Sequence, residues 1–236
     1  MLPFVGFLGV VAGFLTTVSG MGGGLMLVVT LSAIWGPHVA LPTTALALLV
    51  GNIHRLSLFR GHLRPEIARP LLLGMIPGSI IGSLLVAGMP AGLIHVVMLG
   101  LAAFALARAL FGWRVQIPRA ALAPAGGAVG VMAGTSGGAA VLTAPLLLAS
   151  GLRGDEYLAT VALAAVAMHV SRTIGYGAGG LVGTDTFLWA GYLALALVVG
   201  NLIGKRARSH VPDRLRSGLE YGVLAACTGL SLLGVG

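Results

Sequence analysis

Charged side chains are scarce in this sequence of 236 residues, of which they make up 8%. A soluble domain carries about 25% charged residues, so the shortage excludes an ordinary water-soluble fold. Apolar residues make up 57% of the chain, and its mean hydropathy is +1.01. Because one globular core cannot bury that much apolar surface, lipid must be the solvent. The sequence predicts an all-α polytopic membrane protein.

Cysteine and acidic residues are also scarce. The single cysteine, Cys227, lies in an apolar run, which excludes a disulfide framework and a thiolate metal site. We expect no metal and no cofactor. Six acidic residues stand against 14 Lys and Arg, and the basic residues form short clusters between apolar runs. This pattern is typical of cytoplasmic loops and not of a surface that binds nucleic acid.

Eight apolar segments follow one another, at about 3–35, 40–59, 70–88, 91–111, 120–150, 157–178, 186–204 and 215–235. Six of them approach the roughly 20 residues that cross a bilayer. The other two, 3–35 and 120–150, are longer and are interrupted by small residues. We call these interruptions the first break, Gly20–Gly24, and the second break, Gly134–Gly138. Glycine destabilises a helix interior, so each break should separate two helices.

The two broken segments begin matching halves of the chain. Gly22 and Gly23 align with Gly137 and Gly138, and the alignment continues through further pairs: Gly36 with Gly151, Arg55 with Arg172, Gly78 with Gly200, Gly82 with Gly204, and Pro90 with Pro212. The sequence therefore predicts one transporter-like domain over 1–236, built from repeat 1 (about 1–117) and repeat 2 (about 118–236). The polar stretch 112–119 separates them.

Loop charge predicts how the repeats are oriented. If each broken segment crosses the membrane once, the basic loop residues divide between the two sides. If each enters and returns to the same side as two half-length helices, they gather on one side: Arg60, Arg64, Arg69, Arg114, Arg119, Arg153, Lys205, Arg206, Arg208, Arg214 and Arg216. The positive-inside rule favours the second arrangement. Each half then has three full spans, so the repeats are inverted, and both termini are non-cytoplasmic.

Each break should create an anion-binding helix start. Glycines accept the positive φ that a reversal needs, and non-helical backbone at membrane depth is tolerated where it lines a cavity. The half-helices that begin near Leu25 and Ala139 would expose unpaired N–H groups and a positive dipole end. The residues that we predict to bind the substrate at the breaks are Gly22, Gly23, Gly24, Thr135, Ser136, Gly137 and Gly138. Alternatively, the Thr135 and Ser136 hydroxyls bond carbonyls freed by the bend.

Two arginines lie inside apolar spans. Arg55 stands in VGNIHRLSLF and Arg172 in AMHVSRTIGY, and an intramembrane charge indicates a functional site. Neither has an evident acidic partner among Glu66, Asp155, Glu156, Asp185, Asp213 and Glu220, so an anionic ligand can supply the missing charge. Two alternatives stay open: Arg55 can snorkel towards a nearby basic loop, and Arg172 can reach outward or bond carbonyls.

Polar neighbours of these arginines complete the predicted site. Asn52 can orient a ligand or cap backbone, and His54 and His169 are either packing residues or proton carriers, since histidine titrates near neutral pH. Thr43 and Thr44, which follow Pro42, are expected to cap the next helix. Trp35, Trp113 and Trp189 are expected to anchor the chain at the membrane interface.

The motifs resemble the sulfite exporter TauE/SafE family. The similarity rests on SGMGGGLMLV, the Gly36–Ala40 turn followed by Thr43 and Thr44, the basic loop FRGHLR, the span GMIPGSIIGSLL, and the second copy AGTSGGAAVLTAPLLLASG. It extends over essentially the whole chain. The second break departs from the family pattern because it carries Thr-Ser-Gly-Gly-Ala where the family usually has more glycine.

The resemblance implies a secondary transporter of small sulfur-containing anions, such as sulfite, thiosulfate or an organosulfonate, in the bacterial inner membrane. It implies coupling to protons and is compatible with a homodimer. The residues alone indicate an anion transporter that works by alternating access, and sulfur enters only through the resemblance. A passive anion channel would use the same site. An intramembrane enzyme with Ser136 as nucleophile and His169 as base suits a duplicated chain less well.

Overall fold

The structure of the chain is a computed structural model that describes residues 2–111, 118–138, 140–212, 218–219 and 222–229. Its helices are α1 (Leu2–Ser19), α2 (Gly23–Trp35), α3 (Pro37–Phe59), α4 (Pro65–Val86), α5 (Ala91–Phe111), α6 (Leu122–Ser136), α7 (Ala140–Ala149), α8 (Gly154–Ala178) and α9 (Thr184–Ala207). Residues 222–229 are also helical. Short 3₁₀ turns follow α3 and α9 and precede α6, and the described residues contain no strand.

Six of the described helices are long and apolar enough to cross a membrane: α1, α3, α4, α5, α8 and α9. This confirms the prediction of an all-α protein with several membrane-spanning helices. α1 has 18 residues and is therefore longer than the half-length helix that we predicted. The predicted segment 215–235 is described only in part, and Trp113, Arg114, Asp213 and Glu220 lie outside the described residues.

Both long apolar segments are broken where the glycines predicted a break. α1 ends at Ser19 and α2 begins at Gly23, whereas α6 ends at Ser136 and the described part of α7 begins at Ala140. Positive φ angles occur at Gly20 (86°), Gly22 (91°) and Gly137 (77°), a conformation that glycine adopts without steric cost. α2 thus begins two residues before the Leu25 start that we expected.

The capping role predicted for Thr43 and Thr44 is wrong. α3 begins at Pro37, where a missing N–H costs nothing, and it continues through Pro42. The Thr43 hydroxyl donates to the Val39 carbonyl at 2.7 Å and the Thr44 hydroxyl to the Ala40 carbonyl at 2.7 Å. These hydroxyls therefore bond carbonyls inside α3 and do not cap its start.

The first helix of each broken segment packs on a late helix of the other half of the chain. α1 lies along α9, where Gly13 meets the backbone of Leu197 and Asn201. α6 lies along α4 in the same manner, where Gly130 meets the backbone of Met75 and Ser79. Added Cβ atoms would collide with backbone at both glycines, so close helix approach depends on their having no side chain.

The end of the helix bundle where α3 ends and α8 begins is the basic end. Arg64, between α3 and α4, forms an ion pair with Glu156 in the first turn of α8. Arg208, directly after α9, lies 3.2 Å from Asp155. The hydrogen bond to Glu156 raises the pKa of Arg64, because the carboxylate favours the charged guanidinium. These two ion pairs link the connections at the basic end to the first turn of α8.

The opposite end is the tryptophan end, where the ring centroids of Trp35 and Trp189 lie 5.1 Å apart. α1 begins there, because it runs in the same direction as α9 with Gly9 beside Leu193 and Gly13 beside Leu197. α2 returns to the tryptophan end at Trp35. In contrast, α6 begins at the basic end, since it runs along α4 in the same direction, and α7 returns there to lead into α8.

Candidate functional site

Arg55 is buried in the helix bundle with 1% of its surface exposed. Its Nη1 donates to the Thr16 carbonyl at 2.9 Å, close to the end of α1, and its Nε has no hydrogen-bond partner. The alternative that Arg55 snorkels to the headgroups is therefore wrong. A buried, partly unsatisfied guanidinium is costly, which makes it a strong candidate for contact with an anion.

Arg172 is fully buried as well, but its guanidinium is well bonded. Its Nε and Nη2 donate to the Tyr176 hydroxyl at 3.3 and 3.1 Å, and its Nη1 bonds His169 Nδ1 at 3.2 Å. The Tyr176 hydroxyl donates in turn to the Gly134 carbonyl at 2.6 Å. Arg172 is thereby linked through Tyr176 to Gly134, which lies in the last turn of α6 and is the first residue of the second break.

No ion pair joins Arg55 or Arg172 to a carboxylate within the described residues. The Arg55 guanidinium donates to the Thr16 carbonyl near the end of α1, and Arg172 is linked through the Tyr176 hydroxyl to the Gly134 carbonyl near the end of α6. These helix ends carry only partial negative charge. Ion pairs in the described part of the chain involve Arg64 and Arg208 at the basic end. The bundle interior is therefore electropositive around these two arginines.

His169 shares this buried region, with 3% of its surface exposed, and lies within electrostatic range of both arginines. Because a guanidinium can only donate, Nδ1 of His169 accepts the bond from Arg172, so its ring proton resides on Nε2. His54 is only half-buried, and its Nδ1 lies 3.4 Å from the Asn201 amide nitrogen. The two histidines therefore occupy different environments.

A small cavity of about 10 Å³ lies beside Arg55, between α1, α3 and α9. Its walls are Gly13, Thr16, Leu48, Gly51, Asn52, Arg55, Leu197 and Asn201. Asn52 is buried and donates its amide to the Leu48 carbonyl at 2.7 Å. Asn201 accepts a bond from the Thr17 hydroxyl at 2.9 Å and donates to the Gly51 carbonyl at 2.8 Å, so it ties the three helices together.

The predicted residues at the breaks are buried apart from the half-buried Gly24, and four of the five glycines face apolar side chains. A Cβ on Gly138 would lie 2.7 Å from Leu25 Cδ1 and 2.6 Å from Leu101 Cδ2, so these side chains fill the space beside the second break. At the first break, Gly22 approaches Val223, Gly23 packs on the end of α1, and Gly24 approaches Leu48. Apolar side chains therefore fill the space beside both breaks.

Thr135 and Ser136 bond their own helix. The Thr135 hydroxyl lies 3.1 Å from the Val131 carbonyl and 3.0 Å from the Met132 carbonyl, and the Ser136 hydroxyl donates to the Met132 carbonyl at 2.6 Å. The hydroxyls therefore bond carbonyls inside α6 and not, as the alternative had expected, the carbonyls freed by the bend. Ser136 is not hydrogen-bonded to His169 among the described contacts, which gives no support to a nucleophile and base pair.

Sequence reasoning missed Tyr176, Asn201 and Thr17. Tyr176 stands four residues after Arg172, a spacing that places the two side chains on one helix face, and this signal was available. Asn201 lies inside the span 186–204, where an amide needs a partner, but only the packing of α9 on α1 and α3 reveals that the partners are Thr17 and Gly51.

The fold and its electropositive interior define a multi-pass helical membrane protein with buried cationic groups. The model of the family described as Sulfite exporter TauE/SafE matches residues 5–232, and the chain belongs to this family. Membership implies a membrane exporter of sulfite or a related anion and fits a transporter better than an enzyme. No curated protein and no solved structure matches the chain.

Proposed function

We propose that the protein is a secondary transporter that moves a small sulfur-containing anion across the cytoplasmic membrane by alternating access. The observation that carries this proposal is a fully buried Arg55 without a carboxylate partner in the described residues and with an unsatisfied Nε. Protons are the proposed coupling ion, and a homodimer is the proposed assembly. Sulfite is the first substrate to test, because the family description names it.

Inverted repeats are part of this proposal, and the helix packing supports them. Gly9 and Gly13 of α1 meet Leu193 and Leu197, whereas at the equivalent glycines of α6, Gly126 and Gly130, the neighbours are Leu71 and Met75. The contacts of α1 with α9 are thus repeated, residue by residue, by the contacts of α6 with α4. The broken segments also begin at opposite ends of the bundle, which is the relation expected of an inverted duplication.

We also propose which helices move, and the same packing supports this choice. Because each repeat contributes its first helix to a glycine-packed pair with the other repeat, whole repeats cannot rock without separating those pairs. The α1 and α9 pair is the proposed moving unit, since the cavity beside Arg55 lies between this pair and α3. On the opposite flank, Gly175 of α8 packs directly on Ser83 of α4, which favours a fixed interface there.

The proposed orientation places the basic end in the cytoplasm. Arg60, Arg64, Arg153, Lys205 and Arg208 lie in or beside connections at that end, as the positive-inside rule expects. The first residues of α1 then lie on the non-cytoplasmic side together with the tryptophan end. We propose that the C-terminus lies on the same, non-cytoplasmic side, as the loop charges predicted.

Flux in proteoliposomes tests the proposal. Purified protein is reconstituted, and radiolabelled sulfite flux is measured under an imposed pH gradient, with and without a protonophore. We expect flux above that of empty liposomes, a dependence on the pH gradient, and loss of flux in Arg55→Gln. Arg69→Gln is the matched control, because Arg69 is exposed on α4 and should leave flux unchanged.

The alternative of a passive channel gives a different result. Sulfite flux would follow the anion's own electrochemical gradient and would not respond to the protonophore. Absence of sulfite, thiosulfate and organosulfonate flux from correctly inserted protein would contradict both functions.

A further inference from the structure

We propose that the two buried arginines have different roles: Arg55 alone meets the charge of the anion, whereas Arg172 is a structural residue that holds the second break. This inference rests on the proposed transport function and assigns its binding pocket to the space between α1, α3 and α9. The pocket is lined by Asn201 of α9, a residue from the other half of the chain.

The difference between the arginines comes from residues at the same spacing along α3 and α8. Arg172 is bonded by Tyr176, four residues later, and by His169, three residues earlier. At these spacings from Arg55 stand Phe59 and Asn52. Phenylalanine has no hydroxyl to accept a bond, and the Asn52 amide donates to the Leu48 carbonyl. Arg55 is therefore left with Nε unsatisfied, although it is buried as deeply.

The residue four positions before each arginine also differs. Gly51 stands four residues before Arg55 and lines the cavity, whereas the buried Met168 stands four residues before Arg172. The cavity of about 10 Å³ has room for one water molecule. A larger anion therefore requires α9 to move away from α3, and Leu197 faces Gly51 across that interface.

The chemistry of the pocket selects the class of ligand. An arginine with free N–H donors pairs best with an oxyanion that presents two oxygens to the guanidinium plane. The pocket walls contain no carboxylate, and Leu48 and Leu197 are apolar. An ammonium group would therefore find no counter-ion, so the pocket favours a compact oxyanion such as sulfite over a zwitterion such as taurine.

Thermal unfolding of the detergent-purified full chain tests this assignment. Wild type, Arg55→Gln and Arg172→Gln are titrated with sodium sulfite, with sodium chloride at matched ionic strength as the reference. We expect sulfite to raise the Tm of wild type, and Arg55→Gln to abolish this rise. Arg172→Gln should lower the Tm without ligand, because Tyr176 and His169 lose their shared partner, but it should keep the sulfite-induced rise.

Two further variants keep the test decisive if Arg55→Gln does not fold. Arg55→Lys keeps the buried charge but loses the planar donor fork, and we expect sulfite affinity to fall about 10-fold or more. Gly51→Met places in α3 the residue found at the corresponding position of α8 and should fill the cavity, which removes the sulfite response. Taurine should raise the Tm of wild type less than sulfite does at equal concentration.

The possible outcomes separate this inference from the proposed function. A sulfite response that is lost in Arg172→Gln and kept in Arg55→Gln and Arg55→Lys would overturn the assignment but leave anion transport standing. The assignment would also be overturned if both glutamine variants lost the sulfite-induced rise in Tm equally and Gly51→Met kept the full wild-type rise. Absence of any sulfite response and any flux in wild type would overturn the transport proposal itself.

Discussion

The Tyr176 hydroxyl donates a hydrogen bond to the Gly134 carbonyl oxygen at 2.6 Å. This bond joins α8 to the last turn of α6, at the first residue of the second break. The same hydroxyl accepts the Nε and Nη2 bonds of Arg172, so a single side chain satisfies a helix-end carbonyl and a buried cation together. The second break is thereby held in place by polar contacts in an apolar interior.

Removal of this hydroxyl should destabilise the protein. We expect Tyr176→Phe to lower the free energy of unfolding by about 1–3 kcal/mol, because the Arg172 guanidinium and the Gly134 carbonyl both lose a partner. Unfolding by SDS titration measures the change. Tyr192→Phe is the control, since that hydroxyl bonds the Leu2 carbonyl at an exposed position and should change stability by less than about 0.5 kcal/mol. Equal effects would contradict the buried network.

The glycine-packed interface between α1 and α9 should not tolerate a methyl group. A Cβ on Gly200 would overlap the Val10 carbonyl oxygen and lie 2.8 Å from the Phe14 nitrogen, so Gly200→Ala should cost about 1–3 kcal/mol or more. Gly191→Ala, on the same helix, meets nothing within 4 Å and should be neutral or slightly stabilising. The unfolding midpoints of the two variants test this prediction. A destabilised Gly191→Ala would show that α9 does not tolerate added methyl groups in general, and this would contradict a specific effect at the interface with α1.

A reversible crosslink between α3 and α9 should stop transport. A Cβ on Gly51 would lie 3.3 Å from the Leu197 Cβ, close to the roughly 3.5–4.5 Å that a disulfide needs. The double variant Gly51→Cys and Leu197→Cys, in a Cys227→Ser background, should lose sulfite flux when oxidised and regain flux when reduced. Each single cysteine variant serves as the control for the substitution itself. Full flux in the oxidised, crosslinked protein would exclude separation of α9 from α3 as a required step.

Thiol labelling should locate the two ends of the bundle on opposite sides of the membrane. Gly61, at the basic end, and Gly183, at the tryptophan end, have no atoms within 4 Å of an added Cβ, so cysteine fits at both. In spheroplasts, an impermeant maleimide should label Gly183→Cys at once and Gly61→Cys only after permeabilisation. The reverse pattern would invert the proposed orientation, and labelling of both from outside would contradict the placement of the two ends.

The sequence predicted the backbone plan more fully than the side-chain contacts. Glycine clusters located both breaks, because positive φ and close approach are requirements that few other residues meet. The prediction for Thr43 and Thr44 was wrong because a hydroxyl after proline resembles a helix cap, yet α3 begins at Pro37 and continues through Pro42. Sequence periodicity does not reveal whether a proline within an apolar run starts a helix or continues it.

By itself, the sequence determined that the protein lies in lipid, that its chain is broken at Gly20–Gly24 and Gly134–Gly138, and that Arg55 and Arg172 stand inside apolar spans. These conclusions follow from composition and local backbone chemistry. Only the tertiary structure decided that the Tyr176 hydroxyl also bonds the Gly134 carbonyl of α6, and that Asn201 of α9 lines the cavity beside Arg55. Contacts between residues distant along the chain depend on helix packing, which sequence spacing alone does not encode.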